Sequence, residues 1–358
     1  MRDGIPIFNA SRLIADGVPY VDVEEAKREL SGLDEWFDFW AAKGEAYAAL
    51  GDAALVDGHT LTAGRLLWQA SLSVHYAQFV WFHDRPTREA GQRRKVELYD
   101  RAAPYLEPSA QRIEVEFEGN SIPGYLRLPV GAPPAGGWAC VVLIGGLEST
   151  KEESSLFEDL CLARGLATFA FDGPGQGEFF FQVKLRPDFE RYTSAVVDAL
   201  ERRPELDPGR FGVLGRSLGG FYALRSAAHD PRLRVCVAWS YFHDLSDFDA
   251  FPEHTQAGLA YVAGFDDLAE GKSYVQEAMS LADVAAEVTI PTLLLNGLRD
   301  HLFTPQQMER TAAALSNAQL DIVLEPEGNH CCHNMPLRVR PRLADWLADK
   351  LATGDGRA

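Results

Sequence analysis

The chain has 358 residues, 46% of them hydrophobic, and a formal net charge of −18. That length predicts one large domain with an accessory one, and the acidic balance argues against nucleic acid and anionic membrane, since both require a basic face. There is no apolar run of membrane-spanning length, no basic-then-apolar leader in residues 1–17 and no disulfide framework among five scattered cysteines, so a cytoplasmic protein is expected.

From Tyr20 to about Leu106 the pattern is helical. One segment begins at Asp34-Glu-Trp-Phe-Asp-Phe-Trp40, and a long second one runs from Leu61 to Phe82, with apolar residues three and four apart. Trp36, Trp40, Trp68, Tyr76, Phe79 and Trp81 fall within this region, and aromatics at helical spacing predict a packed core. Pro86 and Pro104 punctuate its end.

At Gln111 the period changes to two. Arg112–Glu118 alternates strictly and Ile122–Leu128 follows Gly119-Asn120, which predicts a hairpin. Six short apolar runs come next: Ala139–Ile144, Ala167–Phe171, Phe211–Leu214, Val235–Ala238, Thr292–Leu295 and Asp321–Leu324. Helix-length segments separate them, and Gly131–Gly137, ahead of the first, reads as a surface loop between strands. Strands buried on both faces and alternating with helices make a parallel sheet, so the expectation is an α/β chain with an eight-stranded, mostly parallel sheet.

The third of those runs leads into Gly215-Arg-Ser-Leu-Gly219, and a helix-compatible stretch follows at once. A G-x-S-x-G sequence between strand and helix is a nucleophile elbow, in which a strained turn exposes the serine. Ser217 is therefore the candidate nucleophile. A serine hydroxyl needs a base to take its proton and a carboxylate to orient that base, and in an open α/β sheet these groups belong at the carboxyl ends of strands. Asp300 and His330 stand there, after Thr292–Leu295 and Asp321–Leu324. The order Ser217, Asp300, His330 is that of an α/β-hydrolase. Asp244 competes as the acid and His333 as the base.

The oxyanion of such a reaction needs two fixed N–H donors. Leu218 supplies one, and the loop after Ile144 supplies the other through Gly146 or Leu147. His330-Cys-Cys-His333 lacks the second ligand pair a tetrahedral ion requires, and Asp172-Gly-Pro-Gly-Gln-Gly-Glu178 lacks a phosphate-loop lysine. No metal and no cofactor are expected; the second loop reads as a turn beside the site.

Gly145–Glu153, Asp172–Glu178, Tyr192–Asp198, Gly212–Gly220, His330–Asn334, Tyr76–Phe79 and Lys95–Tyr99 together resemble the 2,6-dihydroxypseudooxynicotine hydrolase family. The resemblance implies an α/β-hydrolase core, residues 108–358, with a helical N-terminal cap, residues 1–107, often as a homodimer. It also implies a serine hydrolase in aromatic-compound catabolism, cleaving the carbon–carbon bond between a carbonyl and a hydroxylated ring of a small aromatic substrate. Ser217, Asp300 and His330 match the triad. The match is weakest between Ser240 and Gly271, where Asp247, Asp249 and Glu253 are candidate acids for a substrate hydroxyl.

Expelling a carbanion is harder than expelling an alkoxide. A phenol-bearing ring answers this by first becoming a ketone, protonated at the carbon that will leave. The same triad also serves a carboxylesterase, a thioesterase or an acyl-transferring cyclase. A ligand receptor on a hydrolase scaffold is the non-enzymatic alternative, and reactivity of Ser217 toward a fluorophosphonate separates it from the enzymes.

Overall fold

The apolar runs after residue 110 form one eight-stranded sheet, in a computed structural model that describes residues 10–352. The strands are β1 (Ala110–Phe117), β2 (Asn120–Arg127), β3 (Trp138–Ile144), β4 (Leu166–Phe171), β5 (Leu206–Arg216), β6 (Leu233–Trp239), β7 (Pro291–Gly297) and β8 (Gln319–Glu325). Their order is β1-β2-β4-β3-β5-β6-β7-β8. β2 pairs antiparallel with β4, and every pair from β4 to β8 is parallel. β5 starts five residues before the expected apolar run because Leu206 pairs with Trp138 ahead of a register shift.

The chain divides into two units, one of residues up to Arg112 together with Glu152–Leu156, the other of Ile113–Lys151 and the residues from Phe157 onward. The first contains α1 (Ala10–Asp16), α2 (Tyr20–Glu29), α3 (Trp36–Val56), α4 (Thr60–Gln78) and α5 (Arg85–Ala102). α3 and α5 both pack on α4. Glycines let them close: a Cβ on Gly44 would stand 2.6 Å from the Val74 side chain. Trp36, Trp40, Tyr76, Phe79 and Trp81 are buried, and the Trp36 indole donates to the Tyr76 carbonyl at 2.7 Å. Burial here includes charge. Glu152 meets Lys95 at 2.8 Å and Glu153 meets His75 at 2.8 Å, all four side chains being almost fully buried. Removing one partner of the Lys95–Glu152 pair is expected to cost about 3–5 kcal/mol, because the other is left charged and dry. Burial, then the Lys95 and Arg12 charges, hold His75 well below its ordinary pKa and keep it neutral.

In the second unit α6 (Ser155–Leu162, whose first two residues belong to the helical unit), α7 (Phe189–Leu200), α8 (Leu218–His229), α9 (Glu253–Ala263), α10 (Leu268–Ala278), α11 (Pro305–Ala314) and α12 (Pro336–Ala352) accompany the sheet. Val235, Val237 and Trp239 alternate along β6 and pack with Leu343 and Leu347 of α12. α8 packs on β5, β6 and α7, with Phe189 stacked on Tyr222 at 3.9 Å. The chain leaves β3 toward β4 on one side and returns to β5 on the other, so the connections diverge between β3 and β5. That divergence opens a crevice at the carboxyl ends of the two strands, where ligands bind in such sheets. No helix among the described residues is long and apolar enough to cross a membrane.

Candidate active site

Ser217 stands at the carboxyl end of β5, between the strand and α8, with φ 60° and ψ −121°. A non-glycine residue held there costs about 1–3 kcal/mol and persists only when its surroundings over-determine it. Two hydrogen bonds do so: the Ser217 amide donates to the Trp239 carbonyl at 2.9 Å, and the Gly220 amide donates to the Ser217 carbonyl at 2.8 Å. The flanking glycines are sterically required. A Cβ on Gly215 would lie 1.7 Å from the Gly219 carbonyl oxygen, and one on Gly219 would lie 2.2 Å from that of Ile144.

Nδ1 of His330 donates to Oδ2 of Asp300 at 2.8 Å, and Nε2 stands 2.9 Å from the Ser217 hydroxyl, whose proton it accepts when the imidazole is neutral. The other carboxylate oxygen, Oδ1, accepts from the amides of Leu302 at 2.8 Å and Phe303 at 3.2 Å. Although burial opposes its ionisation, the His330 charge and these hydrogen bonds hold Asp300 below the usual carboxylate range. Burial likewise opposes protonation of His330, and the Asp300 carboxylate outweighs it, raising the imidazole well above its ordinary value.

The two loops bearing the acid and the base are stitched together. The Arg299 amide donates to the Gly328 carbonyl at 2.9 Å, and a Cβ on Gly297 would sit 2.1 Å from that same oxygen. The turn of His330 is pinned from beneath, where the Trp239 indole donates to the Cys331 carbonyl and the Cys331 amide donates to Oγ of Ser240, each at 2.9 Å. Cys331 and Cys332 are buried in the core behind this turn, and burial pushes the Cys332 thiol up to about 12. His333 packs near Trp239. Asp244 is engaged elsewhere, by Arg310, Ser246 and Gln307.

Gly146 borders the nucleophile: a Cβ on it would lie 3.1 Å from that of Ser217. The backbone N–H groups of Gly146, Leu147 and Leu218 have no hydrogen-bond partner among the described residues. Gln176, which the sequence reading passed over, reaches this loop. Its Nε2 donates to the Gly145 carbonyl at 2.6 Å, while its Oε1 accepts from the Gly173 amide at 3.1 Å. In a trans peptide the N–H points opposite the C=O, so holding the Gly145 carbonyl aims the Gly146 N–H away from Gln176. The signal was present in the turn Asp172–Glu178 but carried no distance.

The three candidate acids do not join the triad. Asp247 accepts from Gln307 at 3.1 Å, Asp249 is exposed and paired with Lys272, and Glu253 is exposed at the start of α9. Aromatic rings stand beside the base instead. Phe303 lies 5.2 Å from His330 between ring centres, Phe242 lies 5.2 Å from Phe303, and His301 is 6.4 Å from His330.

Residues 162–354 match the model of the prolyl oligopeptidase family. The chain is similar to the 2,6-dihydropseudooxynicotine hydrolase of Paenarthrobacter nicotinovorans, with 44% identity over 97% of this chain and 93% of that one. It is similar as well to the crystal structure of the 2,6-dihydroxy-pseudo-oxynicotine hydrolase, at a TM-score of 0.90 and 42% identity over 98% of both chains. Wild-type AbyA5 has the same fold, with a TM-score of 0.71 and 22% identity over 96% of this chain and 95% of that one. A strained serine on the β5–α8 turn, bonded through histidine to a buried carboxylate in a chain so alike from end to end, places this protein among the α/β-hydrolases of the prolyl oligopeptidase type, as a hydrolase of the 2,6-dihydropseudooxynicotine hydrolase family.

Proposed function

We propose that the chain hydrolyses the carbon–carbon bond between an acyl carbonyl and a hydroxylated aromatic ring, with Ser217 as nucleophile, His330 as base and Asp300 as its orienting acid. The observation that carries the reading is the relay from Ser217 through His330 to Asp300, at 2.9 and 2.8 Å. The substrate class follows from the 44% identity to a pseudooxynicotine hydrolase over nearly the whole chain. Asp300 holds the imidazole in the tautomer that leaves Nε2 free to accept the serine proton. Leu218 and either Gly146 or Leu147 donate to the developing oxyanion, an interaction worth most where water is excluded. Phe303 and Phe242 supply flat apolar surface beside the base for an aryl ring. The helical region, residues 1–107, serves as the cap, and two chains form the working dimer.

The deciding experiment is turnover of hydroxylated aryl ketones, their methoxy counterparts and short-chain aryl esters by the purified protein. Ketones bearing a free ring hydroxyl are expected to be cleaved and methoxy ketones to be inert. Fast ester turnover with every ketone untouched would make this an esterase and sink the carbon–carbon reading.

Gln176 acts through the oxyanion loop rather than on the substrate. Gln176→Ala frees the Gly145 carbonyl and lets the Gly146 amide turn, so kcat is expected to fall about 10–100-fold, less than the loss of a donor itself, with KM nearly unchanged. A rise in KM at constant kcat would show instead that the side chain serves ground-state binding.

A further inference from the structure

Hydrolysis of an aryl–acyl bond needs a second proton-transfer group besides the histidine that activates the nucleophile. The ring hydroxyl must lose a proton and the ring carbon must gain one before the bond can break. His330 cannot do this, because it is committed to Ser217 on one nitrogen and Asp300 on the other. Asp247, Asp249 and Glu253, the acids the sequence offers, make no hydrogen bond to the triad among the described residues.

We infer that His301 is that second group, a catalytic residue that moves a proton between the hydroxyl oxygen and the acyl-bearing carbon of the substrate ring. The assignment rests on the carbon–carbon reading above and on the following geometry. His301 directly follows Asp300, and its ring stands edge-on to the His330 ring at 6.4 Å and 70°. Neither of its ring nitrogens has a hydrogen-bond partner among the described residues, although its side chain is solvent-accessible. His301 and Phe303, whose ring is 5.2 Å from that of His330, both stand beside the base that faces Ser217. Partial desolvation, then the charges of His330 and His254, hold the His301 imidazole below its ordinary value against the pull of Asp300. It is therefore neutral near pH 7 and competent to accept a proton.

The chemistry balances. His301 takes the proton from the ring hydroxyl and returns it to the carbon bearing the acyl group, which makes the ring a ketone. Ser217 then gives its proton to His330 as its oxygen bonds to the acyl carbon. The aryl–acyl bond breaks, its electron pair flows onto the ring oxygen, and that oxygen takes the proton from His330. Water then hydrolyses the acyl-serine ester. One water is consumed, and a carboxylic acid and a ring C–H are formed.

An ester needs no proton on a carbon leaving group, so the two reactions separate the roles. With a dihydroxyaryl alkyl ketone and an aryl ester as probes, His301→Gln is expected to lower the ratio of ketone to ester turnover at least 100-fold. Added imidazole is expected to restore ketone cleavage in His301→Ala, which a packing role would not allow. If wild-type protein cleaves the ketone and His301→Gln leaves the ratio unchanged, or lowers both reactions together, this assignment alone is overturned. If wild-type protein turns over the ester and leaves the ketone intact, the carbon–carbon reading falls and this assignment falls with it.

Discussion

Ser217→Ala is expected to lower kcat about 10⁶-fold, the loss seen when one member of such a cooperative unit is removed, or about 8 kcal/mol of transition-state stabilisation. The hydroxyl donates to His330 and points from a turn whose conformation is set by backbone hydrogen bonds, not by the side chain. Alanine therefore keeps the turn and removes only the nucleophile, so circular dichroism and the melting temperature should match wild type. Because the members act as one unit, Ser217→Ala combined with His330→Ala should be no slower than either single variant. Ketone cleavage that survives in Ser217→Ala would assign the attack to a water activated by His330.

Asp300→Asn carries the second-largest effect, about 10⁴-fold in kcat by the precedent of such triads. The amide still fits among the Leu302 and Phe303 amides but no longer stabilises an imidazolium or fixes its tautomer. The pH dependence gives an independent readout. His330 accepts a proton only when neutral, so kcat/KM falls as pH drops through its pKa. Asp300 raises that pKa well above 6.5 despite burial, so the acid limb of the wild-type profile should have its midpoint above 6.5. In Asp300→Asn the raising charge is gone while the burial that lowers the pKa remains, and the midpoint should move down. An acid limb at the same pH in both proteins would mean that another group titrates.

The local features of the site were legible because they are local in origin. The glycines at 215 and 219 are demanded by backbone atoms within 2.2 Å of where their Cβ atoms would be, and such a constraint shows at fixed spacing around the serine. The buried strands read as apolar runs because both faces are covered. The edges read less well: β8 is partly exposed, with Ile322 and Leu324 open to solvent, and β5 passes through Asp207-Pro-Gly-Arg210 before its apolar run. Glu152–Leu156 join the helical unit through the buried Lys95–Glu152 ion pair and the Glu153–His75 contact, and three consecutive acidic or polar residues at 152–154 read in isolation as solvated surface.

By itself the sequence determined the α/β-hydrolase core, the helical N-terminal region and the order of serine, acid and base, since each follows from periodicity, sterics or position after a strand. Only the tertiary structure decided what surrounds them. Gln176 reaches Gly145 across 31 positions and His330 reaches Ser217 across 113. Asp247, Asp249 and Glu253 have the right chemistry for a substrate hydroxyl, and only the fold shows that the first meets Gln307, the second Lys272 and the third solvent. His301 directly follows Asp300 in the chain, and only the fold sets its ring beside that of His330. Residue type and spacing encode what a side chain can do, whereas its partners are set by how the strands and their loops are ordered in space, which no local pattern records.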